Sequence, residues 1–365
     1  MTGNVENFLL KSNIVHDITN IGIDIAGHYT STGAPANVNY ARKGTVRSCT
    51  VYNCHSLSGD ICAGIYVDGA SDLIIEGNRS YRNDVGYSIG CEQPNKIAQL
   101  IRLRDNIATD NKRCGLYLGS GTTTSTVQNC TVTNNTFAQN FSDSGEGAEV
   151  ILQRSSNCQL KQNIFLPRRP NCFAVAWWGY SVSNFSSAYN LYWRIGGNVT
   201  NMVTSNVTIG TDYIFGDPKF TSTTLPAPNY HLLSDSKAIN KGDPAFAAAL
   251  NELDIDALAR VQHGRVDIGA DESPYTAATP GDGEDRSTEI SKQPVPLYPN
   301  PATSSVTMQF PEGYSGPLRI CDVYGKVITA RILSNEKEIT LSLEQFPAGR
   351  YVVYADNQAL QFVKQ

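Results

Sequence analysis

The chain has 365 residues, room for more than one domain and a sizeable core. Charged residues make up only 17% and the net charge is −5, so no basic field draws nucleic acid or an anionic membrane surface. No run of about 18 apolar residues occurs, which argues against a membrane-spanning helix, and the nine cysteines include no CxxC pair, which argues against a zinc ribbon.

Residues 1–7 lack the basic and apolar regions of a signal peptide. Phe8-Leu9-Leu10-Lys11-Ser12-Asn13 already reads as a strand and its turn. The expectation is a piece that starts inside a larger array, with no helical cap over residues 1–8.

A periodic pattern then takes over. Cys49, Asn78, Asn106, Asn135 and Asn163 follow one another at intervals of 29, 28, 29 and 28 residues. Each stands just after a short apolar strand, as in Leu73-Ile74-Ile75-Glu76-Gly77-Asn78. A period of this size marks a solenoid, and the richness in Val, Ile, Thr, Asn and Gly makes it a β-solenoid. Five residues after each turn position stands a second: Cys54, Asn83, Asn111 and Asn140. A local Cys49–Cys54 disulfide is one reading of that spacing. Cys130 and Cys158 occupy one place in successive coils and read as stacked small interior residues.

Each coil also carries a Gly-led strand with period-2 alternation. The inward set is Ile23/Ile25, Ile65/Val67, Tyr87/Ile89, Leu116/Leu118, Ala148/Val150 and Val175/Trp177. The outward set is Asp24, Tyr66, Ser88, Tyr117, Glu149 and Ala176. In a parallel stack equivalent residues form columns, and Asn columns satisfy their amides along the stack. The Asn positions are therefore structural.

Coil period, Asn ladder and alternation over residues 8–185 resemble the right-handed parallel β-helix family, the pectate-lyase-like solenoids. The expected fold class is all-β: a right-handed parallel β-helix followed by a small Ig-like β-sandwich. The family hosts many activities, so fold alone does not fix function.

From about residue 186 the pattern changes. The run through Gly216-Asp217-Pro218, Asp254-Ile255-Asp256 and Arg265-Val266-Asp267-Ile268-Gly269-Ala270-Asp271-Glu272 resembles the C-terminal end of choice-of-anchor surface β-helix proteins. Ala257 stands where that family has Gly. Residues 186–272 are expected to form final coils and a cap over the solenoid's open edge. Residues 243–250 are expected to form one short helix. Asp254, Asp256, Asp267, Asp271 and Glu272 lack EF-hand spacing and are expected to pair with Arg260 and Arg265.

Residues 273–293 read as a flexible acidic linker. Residues 294–365 alternate strands with turn signals, as a small sandwich does. Their motifs are Leu297-Tyr298-Pro299-Asn300-Pro301-Ala302, Asp322-Val323-Tyr324-Gly325-Lys326-Val327, Phe346-Pro347-Ala348-Gly349-Arg350-Tyr351 and Phe362-Val363-Lys364. Together they resemble the type A C-terminal sorting domain of the type IX secretion system of Bacteroidetes. The resemblance implies engagement of that secretion machinery, outer-membrane translocation, and a secreted or cell-surface location.

Candidate chemistry gathers on the outward face and the loops beside it. The loop over residues 27–43 is by far the longest, and long ordered loops on solenoids line binding faces. The catalytic candidates are His28, Arg42, Lys43, Asp24 and Asp68. The substrate-binding candidates are Tyr29, Tyr66, Tyr117, Glu149 and Arg154. A lyase on acidic sugars needs a base and a cation, which His28, Lys43, Arg42, Lys96 or Arg154 could supply. A glycoside hydrolase needs two carboxylates, for which Asp24 and Asp68 on neighbouring coils are the close pair. No cofactor is expected; calcium on Asp68 and Glu92 is the metal alternative on this face, as a metal on the acidic tail is the lesser alternative there. The expected partner is a polysaccharide, met by a monomer. The competing reading is a non-catalytic carbohydrate-binding protein or adhesin, in which these same residues are solvated surface.

Overall fold

The computed structural model describes residues 1–58, 62–194, 197–210, 212–275, 295–322, 327–355 and 358–365. Contacts divide the chain into two units, the first built on residues 1–219 and 232–277, the second on 220–231 and 278–365.

The first unit is a parallel β-solenoid with three sheets. A ten-stranded sheet runs from Leu9–Lys11 through Arg42–Arg47, Ser71–Glu76 and Ile97–Arg104 to the last coils. An eight-stranded sheet holds Arg79–Tyr81, Ile107–Thr109, Thr136–Ala138 and their neighbours. A six-stranded sheet holds Ile23–Ala26, Ala63–Asp68, Val85–Gly90, Cys114–Gly119, Gly147–Gln153 and Cys172–Trp177. Residues 1–8 contain no helix; Glu6 forms a parallel bridge with Arg42.

Columns form because parallel coils stack in register. Ile25, Val67, Ile89, Leu118 and Leu152 line up and are all buried. The turn between the first two sheets carries the Asn ladder. Each rung's Oδ1 accepts from the backbone N and Nδ2 of the rung before it: Asn78 to Asn106, Asn106 to Asn135, Asn135 to Asn163. The ladder runs one coil beyond the expected set, from Asn163 to Asn190. Cys49 replaces one rung, its N donating to Asn78 and its sulfur accepting from Asn13.

Cys49 and Cys54 stand in two separate ladders at opposite ends of the strand Thr50–Tyr52, and both are free thiols. The disulfide alternative therefore fails. Cys130 and Cys158 are buried in the core as read.

The expected register is off by two in the fifth coil. Leu116 pairs with Val150 and Tyr117 with Ile151, so Val150/Leu152 point inward and Ile151 takes the outward place assigned to Glu149. The misleading signal was Gly147. It is glycine because a Cβ there would strike the Phe141 ring, not because it opens the column.

The acidic tail runs back along the solenoid's flank beside the Asn-ladder turn. Gly242 and Asp243 sit at Gln162, Ala270 at Thr136, Glu252 at Arg104, and Asp256 at Arg79. Arg260, fully buried, pairs with Asp105 at 3.0 Å and Glu272 at 3.1 Å. Arg265 instead donates to the Gly242 carbonyl. Residues 243–250 form no helix; Phe246 N closes a turn onto the Asp243 carbonyl.

The second unit has an antiparallel sheet of Leu297–Tyr298, Ser305–Asp322, Val327–Ser342, Gly349–Ala355 and Gln358–Lys364. Its core gathers Val306, Met308, Phe310, Leu318, Ile320, Tyr351, Val353 and Phe362. Two expected pairs of short strands are two long ones. Gly313 and Gly316, both at positive φ, lie at register irregularities of the long hairpin. Asn300 Oδ1 accepts from Val363 N at 3.0 Å, joining the first motif to the last. Most of the linker expected over 273–293, and residues 323–326 of the central motif, lie outside the described residues.

Candidate functional site

The six-stranded sheet turns two groups of polar side chains outward. The first is built on its first three strands. Asp24 leaves the strand Ile23–Ala26 opposite Tyr66, and Asp68 ends the next strand opposite Ala26. Glu92 follows the third strand, and the long loop brings Tyr29 over all of them.

One hydrogen-bonded network results. Tyr29 Oη donates to Asp68 Oδ2 at 2.5 Å and also approaches Glu92 Oε2 at 3.2 Å. Tyr66 Oη donates to Glu92 Oε1 at 3.1 Å. Glu92 N donates to Asp68 Oδ1 at 2.7 Å. The loop is itself braced, since Asn39 Nδ2 and Thr32 Oγ1 both donate to the Tyr29 carbonyl and His28 N to the Asn39 carbonyl.

Burial and the neighbouring carboxylates raise the proton affinity of Asp24 and Asp68. The Asp24 carboxyl is pushed up to about 6, first by the protein packed around it and then by the charges of Asp68 and Glu92. Asp24 keeps an open side to solvent, so water and ligand reach it. Burial also raises Asp68, against the hydrogen bonds from Tyr29 and Glu92. Tyr29 and Tyr66 are held neutral, by burial first and the neighbouring carboxylates second.

His28 lies at the edge of this group. Its backbone is left-handed, with φ 69°, and its ring packs on Gly69 and tilts against Tyr40 at 5.4 Å. Burial, then Lys96, hold the imidazole below its usual range, so it is neutral at pH 7.

The other cationic candidates stand elsewhere. Arg42 and Lys43 begin a strand of the ten-stranded sheet. Arg42 pairs with Glu6 at 2.8 Å, donates to Asn4 and stacks near Tyr40; Lys43 is exposed, 3.9 Å from Glu6. Among the described contacts neither reaches the acidic group. Both tie the first coil's edge, a role dictated by their place at the loop's exit.

Glu149 is a correction. It is fully buried and accepts from both N and Nδ2 of Asn140, as the next Asn of the ladder would. Burial pushes its carboxyl up to about 8. It ends the second ladder and touches no ligand face.

The second group lies on later coils. Arg154 sits over the Tyr180 ring at 3.5 Å and donates to the Ser120 carbonyl at 3.2 Å. Tyr117 belongs to the same group; burial pushes its hydroxyl up to about 12, with Arg154 opposing. Beside them opens a cavity of about 540 Å³ walled by Thr123, Thr126, Ser156 and Ser183 as well as Arg154 and Tyr180. Tyr180 and Glu92 carry much of these sites. Glu92 was legible as a loop carboxylate; Tyr180 had no repeat signal to mark it.

Both Asp68 oxygens and both Glu92 oxygens accept hydrogen bonds from tyrosine hydroxyls or a backbone N–H.

The three-sheet solenoid defines the class of protein, a parallel β-helix. Residues 1–165 match the model of the right-handed β-helix region, and residues 296–365 match the secretion-system C-terminal sorting domain. The chain is thus a right-handed parallel β-helix protein with a type IX secretion sorting domain, which marks it for export. Among the described residues no helix is long and apolar enough to cross a membrane.

An uncharacterized protein of Bacillus subtilis (strain 168), YwoF, is 30% identical over 172 residues; the match covers 45% of this chain and 36% of that protein. The chain thus spans about a third of that relative's length. Among solved structures, the pectate lyase Pel9A is 14% identical with a TM-score of 0.37, covering 73% of this chain and 66% of the lyase. The Dettilon tailspike protein is 17% identical with a TM-score of 0.33, covering 59% and 42%.

Proposed function

We propose that this is a secreted or cell-surface glycoside hydrolase acting on a polysaccharide, with Asp24 and Asp68 as its working carboxyls. The observation that carries the reading is the Tyr29–Asp68–Glu92–Tyr66 network set beside a proton-holding Asp24 on one outward face. Hydrolysis is favoured over elimination because Arg42 and Lys43 are engaged with Glu6, away from the Asp24 and Asp68 carboxyls.

In this scheme the Asp24 acid protonates the leaving glycosidic oxygen as the C–O bond breaks. Water adds to the anomeric carbon, and its proton passes to the Asp68 carboxylate. Tyr29 and the Glu92 backbone N–H fix the orientation of the Asp68 carboxylate, one on each oxygen, and Glu92 holds Tyr66 and Tyr29 in place. No metal is invoked.

The test is incubation of the full chain with a panel of neutral and acidic glycans, reading new reducing ends and the ultraviolet absorbance of unsaturated ends. Reducing ends without absorbance support the scheme. Unsaturated products point to a lyase, and no product on any glycan leaves a binding protein.

A further inference from the structure

We propose that the cavity beside Arg154 and Tyr180 is a subsite for an anionic saccharide unit, one bearing a carboxylate or a sulfate ester. This rests on the polysaccharide reading above and adds the charge of the substrate to it.

The lining is the first argument. The walls are hydroxyls of Thr123, Thr126, Ser156 and Ser183, which donate and accept as sugar hydroxyls do. Ser125 beneath them is buried, and its hydroxyl donates to the Cys91 carbonyl, so the wall is braced before any ligand arrives. A volume of about 540 Å³ lies within the usual span of small-ligand sites.

Charge is the second. Among the described residues Arg154 has no acidic partner; its contacts are a carbonyl and a ring. Its backbone is held at φ 37°, which aims the side chain out of the strand end and over Tyr180. The Tyr180 ring is 49% exposed and offers an apolar face beside a free guanidinium edge. A planar carboxylate or a sulfate suits that edge, since Arg binds both by paired N–H donors.

Position is the third. Thr126 pairs with Ile97, just beyond Lys96, and Ser155 pairs with Val127 and Val182. The cavity therefore continues the same row of turns that holds Asp68 and Glu92, two to three coils on. Coils stack about 4.8 Å apart, so the two groups lie roughly 10–14 Å apart along the axis, within reach of one short oligosaccharide.

The test is calorimetric titration of the full chain, carrying Asp24→Asn to stop turnover, with matched neutral, uronic and sulfated oligosaccharides. The expected result is at least tenfold tighter binding of an anionic series, lost in Arg154→Gln and weakened in Tyr180→Ala. The uronic and sulfated arms identify which anion is preferred. Equal binding of neutral and anionic series, an unchanged preference in both variants, or no binding at all would overturn the subsite. Anionic binding through Arg154 in a chain that cleaves nothing keeps the subsite and removes the hydrolase.

Discussion

Tyr29 hands its phenolic hydrogen to Asp68 at 2.5 Å, across 39 residues and from a loop to the next coil's strand end. The loop brings a neutral tyrosine onto one oxygen of a carboxyl that is only 2% exposed and leaves the other to a backbone N–H.

Breaking the pair affects chemistry before stability. Tyr29→Phe is expected to lower turnover while leaving the melting temperature within a few degrees. Asp68→Asn is expected to lower turnover by about 10²–10⁴, the range for a lost general base. Steady-state rates alongside thermal melts separate the two; equal losses of rate and fold in both variants contradict the assignment.

Glu149 predicts a pH dependence of stability. Its folded carboxyl is raised from about 4.5 to about 8, so between those values the folded state holds a proton the unfolded state has lost. Stability therefore falls as pH rises through that window. Glu149→Gln keeps an acceptor for Asn140 and removes the titration. Melting curves from pH 4 to 9 are expected to flatten in this variant; an unchanged slope contradicts the buried acid.

Arg260 holds the returning tail to the flank. Arg260→Ala strands Asp105 and Glu272 in the interior, at a cost of about 3–5 kcal/mol. Denaturant unfolding reads it, and a loss below about 1 kcal/mol would mean the flank packing does not depend on the ion pair.

The Asn ladder should be unforgiving in its middle. Asn106 donates to Ile75 O, Arg104 O and Asn135 Oδ1, and accepts from Asn78. Asn106→Ala leaves several of these groups buried and unmet, for a loss of about 3 kcal/mol by the usual cost of orphaned polar groups. The same denaturant curves check it.

Period and ladder made the solenoid legible, because stacking forces equal spacing and equal side chains. Alternation placed Asp24 and Tyr66 opposite each other on the outward face, as the structure has them. Inference failed where spacing was broken by local packing: Gly147 served Phe141, which moved Glu149 into the ladder. It failed again for Arg42 and Lys43, since a long loop's exit is fixed by which sheet it rejoins and not by its length. The flank path of residues 240–272 has no period, so only folded contacts reveal it. Tyr180 escaped for the same reason.

The most direct measurement is the pH–rate profile of glycan cleavage by the full chain beside its Asp24→Asn variant. The account predicts new reducing ends, a rate that falls as pH rises through about 6 when Asp24 gives up its proton, and a loss of about 10²–10⁴ in the variant. A variant that cleaves as fast as the parent, or a rate that rises through that pH, would contradict it.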